Sequence, residues 1–312
     1  MAGFDPAHPD ASGYKTVFND EFKSSSTIDV NNQLTRGFKW YPGQFYGMKP
    51  TPSSAFHLSN AGLVLTQDNA DLWNNDLCTA GPASNERGFV GQAGGGGAYF
   101  EATFNFTPAT VNGKNGWPSF WSNAIESCTH KSQWPGQAAG YAHFSEDDFF
   151  EYNPAWWGMD GYGATLHDWY GIWNLTCPGQ FCDIANNRNN LDLVKVPQGT
   201  DFTQFHTYSQ LWVPGAGERP GTVNNYFDGK LVNQATWKDP PAGAAYPTPP
   251  PADPYTFSIL DQQHLAIYLG TGNDQPMTVR SVRVWQIPGQ GTCVGDCEPP
   301  APASTTPTPE KK

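Results

Sequence analysis

The residues best suited to chemistry lie in one stretch, His143 to Tyr152, reading HFSEDDFFEY. It sets Glu146, Asp147, Asp148 and Glu151 among aromatics, in a chain where only 15% of residues are charged. Read as a strand, its side chains alternate, so Glu146 and Asp148 share one face while Asp147 and Glu151 take the other. A β-bulge between Asp148 and Glu151 would add one residue and return Glu146, Asp148 and Glu151 to a common face. Carboxylates held that close raise one another's pKa until at least one keeps its proton near neutrality. A protonated acid beside an ionised carboxylate is what cleavage of a glycosidic bond requires, at about 5–5.5 Å in the retaining form of that reaction. The same residues also read as an acidic turn, or as a loop of hard oxygen ligands for calcium.

Only a bent sheet can aim such a row into one cleft, and the composition suits one. The chain has 312 residues with 33 Gly and 28 Pro, and its short alternating or aromatic runs are broken by Gly, Pro, Asn and Asp. That pattern predicts a single all-β sandwich or barrel with a sizeable core. A net charge of −12 with 17 basic residues excludes a nucleic-acid or anionic-membrane partner, since both demand a cationic surface. No run of 18 apolar residues is present to span a bilayer. Gly94 to Gly97 invite a phosphate-loop reading, but no Lys-Ser or Lys-Thr follows and the next residues alternate as a strand. In Gly116 to Trp121, reading GWPSFW, Trp117 and Trp121 are an even number of positions apart and point the same way in an extended chain. Asp228-Gly229, inside NYFDGKLV, is a hairpin turn signal.

Six cysteines allow fifteen pairings. Proximity in sequence pairs Cys177 with Cys182 and Cys293 with Cys297, which leaves Cys78 for Cys128. Three disulfides imply an oxidising, extracellular setting. Zinc is the weaker reading, because no consistent C-x-x-C spacing with neighbouring histidines occurs. The chain opens without a secretory leader, so it is read as a processed, secreted sequence. Asn105 and Asn174 match the N-glycosylation pattern. Gly295 to Lys312 is rich in Pro, Thr and Ala, and residues 293–312 are expected to be a disordered tail or linker stub behind a catalytic domain over 1–292.

Glu146-x-Asp148-x-x-Glu151 resembles the active-site strand of glycoside hydrolase family 16, which includes laminarinases, lichenases, agarases and carrageenases. The resemblance extends to YKTVFNDEF at Tyr14, to Ala98 through Ala102, to GWPSFW, to Thr165-Leu166-His167, to Phe205-His206-x-Tyr208 with Trp212, and to Val279 through Gln286. It implies a β-jelly-roll sandwich of two antiparallel sheets with a concave substrate cleft. Glu146 would be the nucleophile, Asp148 its helper and Glu151 the general acid/base, with Trp117, Trp121, Tyr152, Trp156, His167 and Trp169 lining the sugar sites. The implied activity is endo-acting, retaining hydrolysis of β-1,3- or β-1,3/1,4-glucan by a monomer that needs no cofactor. The alternatives are transglycosylation on a β-glucan and a non-catalytic glycan-binding jelly roll. Arg280 stands where many members carry an aspartate for a structural calcium, so no metal is expected. Asp147 falls where the family has an apolar residue. Either it faces the interior with a partner, or the register differs and it joins Glu151 in the cleft as the nucleophile.

Overall fold

The computed structural model describes residues 4–43, 50–66, 75–113, 117–129, 141–172, 186–241, 254–271 and 275–297. Among these, two large antiparallel sheets, one of ten strands and one of eight, pack face to face as a β-jelly-roll sandwich. The ten-stranded sheet runs from Asn186–Lys195 through Gly161–Ile172, Tyr141–Glu151, Ser119–Ala124 and His264–Gly270 to the short strands Leu77–Cys78 and Tyr41–Pro42. The eight-stranded sheet is centred on Ala98–Phe106, which lies between His206–Val213 and Met277–Gln286. The acidic strand Tyr141–Glu151 is therefore an interior strand, paired on both edges.

Aromatic rings fill the space between the sheets. Phe149 stacks on Phe100 at 4.8 Å and Phe150 meets Phe104 at 4.9 Å, while Phe104 stacks on Tyr208 at 4.2 Å. Each such ring buries enough apolar area that its loss would cost about 3–5 kcal/mol. Trp40 and Tyr41 belong to the buried interior, with Trp40 edge-on to Phe18 at 5.5 Å. The Asp228-Gly229 turn forms as its sequence predicts, with φ of 47° and 74°. In the glycine run, a Cβ at Gly96 would stand 2.4 Å from the Gln290 carbonyl oxygen, so close backbone approach and not phosphate binding accounts for the missing side chain.

Cys293 and Cys297 form their disulfide. Cys78 and Cys128 do not, and both are free thiols. The Tyr268 hydroxyl hydrogen-bonds to both sulfurs, lying 4.0 Å from that of Cys128, while the Cys78 sulfur also accepts from the Ala80 amide at 3.3 Å. Cys177, Cys182 and Asn174 lie outside the described residues. Asn105 is engaged within the sheet, donating to the Thr203 carbonyl at 2.8 Å.

The tail expected from residue 293 does not begin there. Thr292–Gly295 is a strand on the edge of Phe89–Gly95, whose open hydrogen-bonding groups it satisfies. Asp296 then accepts from Arg36 Nε at 2.7 Å, Arg87 Nη2 at 2.8 Å and the Gly91 amide at 2.9 Å. Residues 293–297 are thus part of the sandwich.

Candidate active site

The acidic strand pairs Glu146 with Asn123 on one side and with His167 on the other. Its register slips between Asp148 and Phe150 against Ser119–Ala124, and between Asp148 and Glu151 against Gly161–Ile172. This is the bulge that the spacing calls for. Phe149 and Phe150 both turn into the core, so the alternation restarts one residue late. Glu146, Asp148 and Glu151 consequently share the outer face. The same restart sends Tyr152 inward. It is fully buried and its hydroxyl donates to the Val111 carbonyl at 2.9 Å, so it is a core residue and not the sugar contact expected from sequence.

Asp147 faces the interior. Its Oδ1 accepts from Gln210 Nε2 at 2.8 Å, and the same nitrogen donates to Asn225 Oδ1 at 2.9 Å. The register that would bring Asp147 into the cleft is therefore not the one adopted.

The neighbouring strand Gly161–Ile172 supplies partners to the outer row. His167 Nε2 lies 3.1 Å from Asp148 Oδ2, Trp169 Nε1 donates to Glu146 Oε2 at 2.8 Å, and the two rings stack at 5.5 Å. On the other side the Trp117 indole N–H donates to Glu151 Oε1. Trp121 pairs with Asp148 in register and stacks on Tyr268 at 4.1 Å. Its indole N–H is buried and finds no hydrogen-bond partner among the described residues. Trp156 stands 72% exposed beyond Glu151.

Trp157, which the sequence motifs do not single out, completes the surroundings. A Cβ at Gly163 would lie 2.5 Å from its Cζ2, and Gly163 is the residue opposite Glu151. The absence of a side chain at Gly163 is the signal that makes room for the ring.

Burial dominates the electrostatics of the row. It raises the Glu146 carboxyl above the usual range, against the opposing pull of His167 and Trp169. Asp148 is pushed well up by burial and by the flanking Glu146 and Asp147 charges. Glu151 is pushed well up by burial and Asp148, although the Trp117 hydrogen bond works the other way. Apart from burial, Glu146 feels only groups that favour its charged form, whereas at Glu151 the like charges of Asp148 and Glu146 oppose Trp117 and His167, and Asp148 feels only like charge. Such an asymmetric set can hold an ionised carboxylate at one end and a proton at the other. Glu146, Asp148 and His167 also bring one donor atom each within 4.8 Å of one another, close enough to share an ion. In the structure those donors are engaged by one another and by Trp169.

No family model matches the sequence, and no curated protein matches it. A solved structure does share the fold. An endo-β-galactosidase from Clostridium perfringens that releases GlcNAcα1-4Gal superposes with a TM-score of 0.52 at 15% identity, over 92% of this chain and 65% of that one. An endo-1,3-β-glucanase from Streptomyces sioyaensis gives 0.47 at 18% identity, covering 91% of this chain and 98% of the other. β-Agarase B from Zobellia galactanivorans gives 0.49 at 12% identity, covering 89% and 94%. At these identities the likeness is one of fold, and this chain spans 65% of the length of the galactosidase.

Proposed function

We propose that the chain is a secreted, endo-acting, retaining β-glycanase of the glycoside hydrolase family 16 type. The observation that carries this reading is the bulge at Phe149-Phe150, which returns Glu151 to the face of Glu146 and Asp148. Glu146, favoured as the carboxylate by Trp169 and His167, attacks the anomeric carbon and forms the glycosyl ester as the bond to the departing sugar oxygen breaks. Glu151, whose proton affinity is raised by burial and by Asp148, gives that oxygen its proton. It then takes a proton from water as the water oxygen attacks the anomeric carbon of the ester, breaking the bond to Glu146, which leaves as the carboxylate. Asp148, held by His167, sits between the two and keeps their proton affinities apart. Side chains alone supply this acid and base chemistry.

The substrate class follows from charge and lining. A chain with 17 basic residues against 29 acidic ones is poorly suited to sulfated polymers, and indoles line both sides of the row. A neutral β-1,3- or mixed β-1,3/1,4-glucan fits best, acted on by a monomer. The Cys293–Cys297 disulfide supports an extracellular setting.

The test is incubation with laminarin, lichenan, xyloglucan, agarose, carrageenan and galactan, sizing the products and reading the anomeric configuration of the first-formed reducing ends by NMR. Internal cleavage of a glucan with retained β configuration is expected. Inverted products, or no product from any polymer, would sink the reading.

A further inference from the structure

Directly after the acidic strand the chain builds an aromatic shelf that no catalytic step uses. The four-residue helix Pro154–Trp157 is capped by Asn153, whose side-chain oxygen accepts from the Ala155 amide at 3.0 Å. It ends at Gly158 with φ 78°. So short a helix contributes side chains and not a dipole. Trp156 is 72% exposed, and Met159 just beyond it is 44% exposed. Trp157 lies over the backbone of Gly163 and so fills the outer-face position beside Glu151. Trp117 meets Trp156 edge-on at 5.2 Å and Trp157 at 5.4 Å, and its own N–H reaches Glu151.

A large indole left in water forgoes the burial that places most tryptophans inside. Here three indoles form one surface continuous with the Glu151 carboxyl. The segment Pro154 to Met159 carries no formal charge, and the nearest charged residues along the chain are Glu151 and Asp160, both acidic. A pyranose with equatorial hydroxyls offers an apolar C–H face that lies flat on an indole. An anionic sugar would meet two carboxylates.

We propose that Trp117, Trp156 and Trp157 form a binding platform for an uncharged hexopyranose on the leaving-group side of the scissile bond. This rests on the reading of Glu151 as the acid that protonates the leaving oxygen. The consequence is that productive substrates extend past the cleavage point, with Gly163 preserving the space in which Trp157 lies.

The experiment uses the full chain carrying Glu146→Gln, titrated calorimetrically with neutral β-gluco-oligosaccharides of increasing length. Adding Trp156→Ala should weaken binding about five- to tenfold for oligosaccharides long enough to pass Glu151, the size of effect expected for one aromatic contact. Shorter oligosaccharides should bind unchanged. Because Trp156 is exposed, its removal leaves the fold intact, which a thermal melt checks. Leu231→Ala, at a 57% exposed position on the other sheet, is the control and should change nothing. Equal losses for long and short oligosaccharides, no loss for either, or no binding at any length would overturn the platform. Tighter binding of a uronate-bearing or sulfated oligosaccharide than of a neutral one would overturn its charge preference. Wild-type turnover by Glu146→Gln would instead defeat the catalytic assignment, and the binding ladder would read out separately.

Discussion

Asp147 and Gln210 meet across the interior of the sandwich, the amide nitrogen of one 2.8 Å from the carboxyl oxygen of the other. Burial pushes the Asp147 carboxyl up to about 7, with the Gln210 hydrogen bond opposing it. The second Asp147 oxygen and the Gln210 carbonyl oxygen are both buried without hydrogen-bond partners among the described residues, as suits an acid that keeps its proton in the folded state.

Linkage turns this into a stability prediction. The folded value lies above the unfolded one, so between pH 4 and pH 7 the folded state holds a proton that the unfolded state has lost, and stability falls as pH rises. Asp147→Asn removes the charge but keeps an oxygen for Gln210. Its stability gain should be about 2–3 kcal/mol larger at pH 8 than at pH 5. Urea unfolding at the two pH values checks this, and an equal gain at both would contradict it.

Substituting the proposed catalytic pair should separate activity from folding. Glu146→Gln and Glu151→Gln should each lower kcat on glucan by about a thousandfold or more. Each also removes one of several crowded charges, so the melting temperature should hold or rise. Steady-state kinetics beside calorimetric melts gives the comparison. A Glu146→Gln enzyme with full turnover would reassign the nucleophile.

Trp169 offers a pH test. Its N–H favours the charged form of Glu146, so Trp169→Phe should raise that carboxyl further and move the acidic limb of kcat/KM to higher pH. The basic limb, set by loss of the Glu151 proton as pH rises, should stay in place. A pH profile in which both limbs move together would mean that the substitution acts through general distortion.

Asp296 ties the last described strand to the sandwich through Arg36, Arg87 and the Gly91 amide. Burial raises its carboxyl, but the three donors outweigh that and the net shift is downward. Its contribution is therefore present above the unfolded value and is lost as pH falls through the folded one. Asp296→Ala should cost about 1–3 kcal/mol at pH 7 and less near pH 3, as read by urea denaturation.

Much of the site was legible because a strand's two-residue period makes Glu146-x-Asp148-x-x-Glu151 inconsistent without a bulge. The sequence located that bulge only to within three residues. It could not say that Phe149 and Phe150 both turn inward, and Tyr152 was consequently assigned to the wrong side. Whether Asp147 faced core or cleft depended on Gln210, a partner 63 residues away on the opposite sheet that no local pattern connects to it. The Cys78 and Cys128 pairing was inferred by elimination, which cannot register a tyrosine hydroxyl that engages both sulfurs. A Pro- and Thr-rich composition concealed a four-residue strand at the C-terminal side, because edge pairing depends on an open neighbour more than on side-chain type.

The doubled phenylalanine also makes the protein's chemistry depend on a count. A chain with one further residue inserted between Asp148 and Glu151, and the same single bulge, would keep its aromatic filling, its tryptophan-lined face and its other carboxylates. Glu151 would then point at the packed interior, away from the face that holds Glu146 and Asp148. Under the proposed catalytic reading, one codon would separate cleavage of a glycan from mere binding of it.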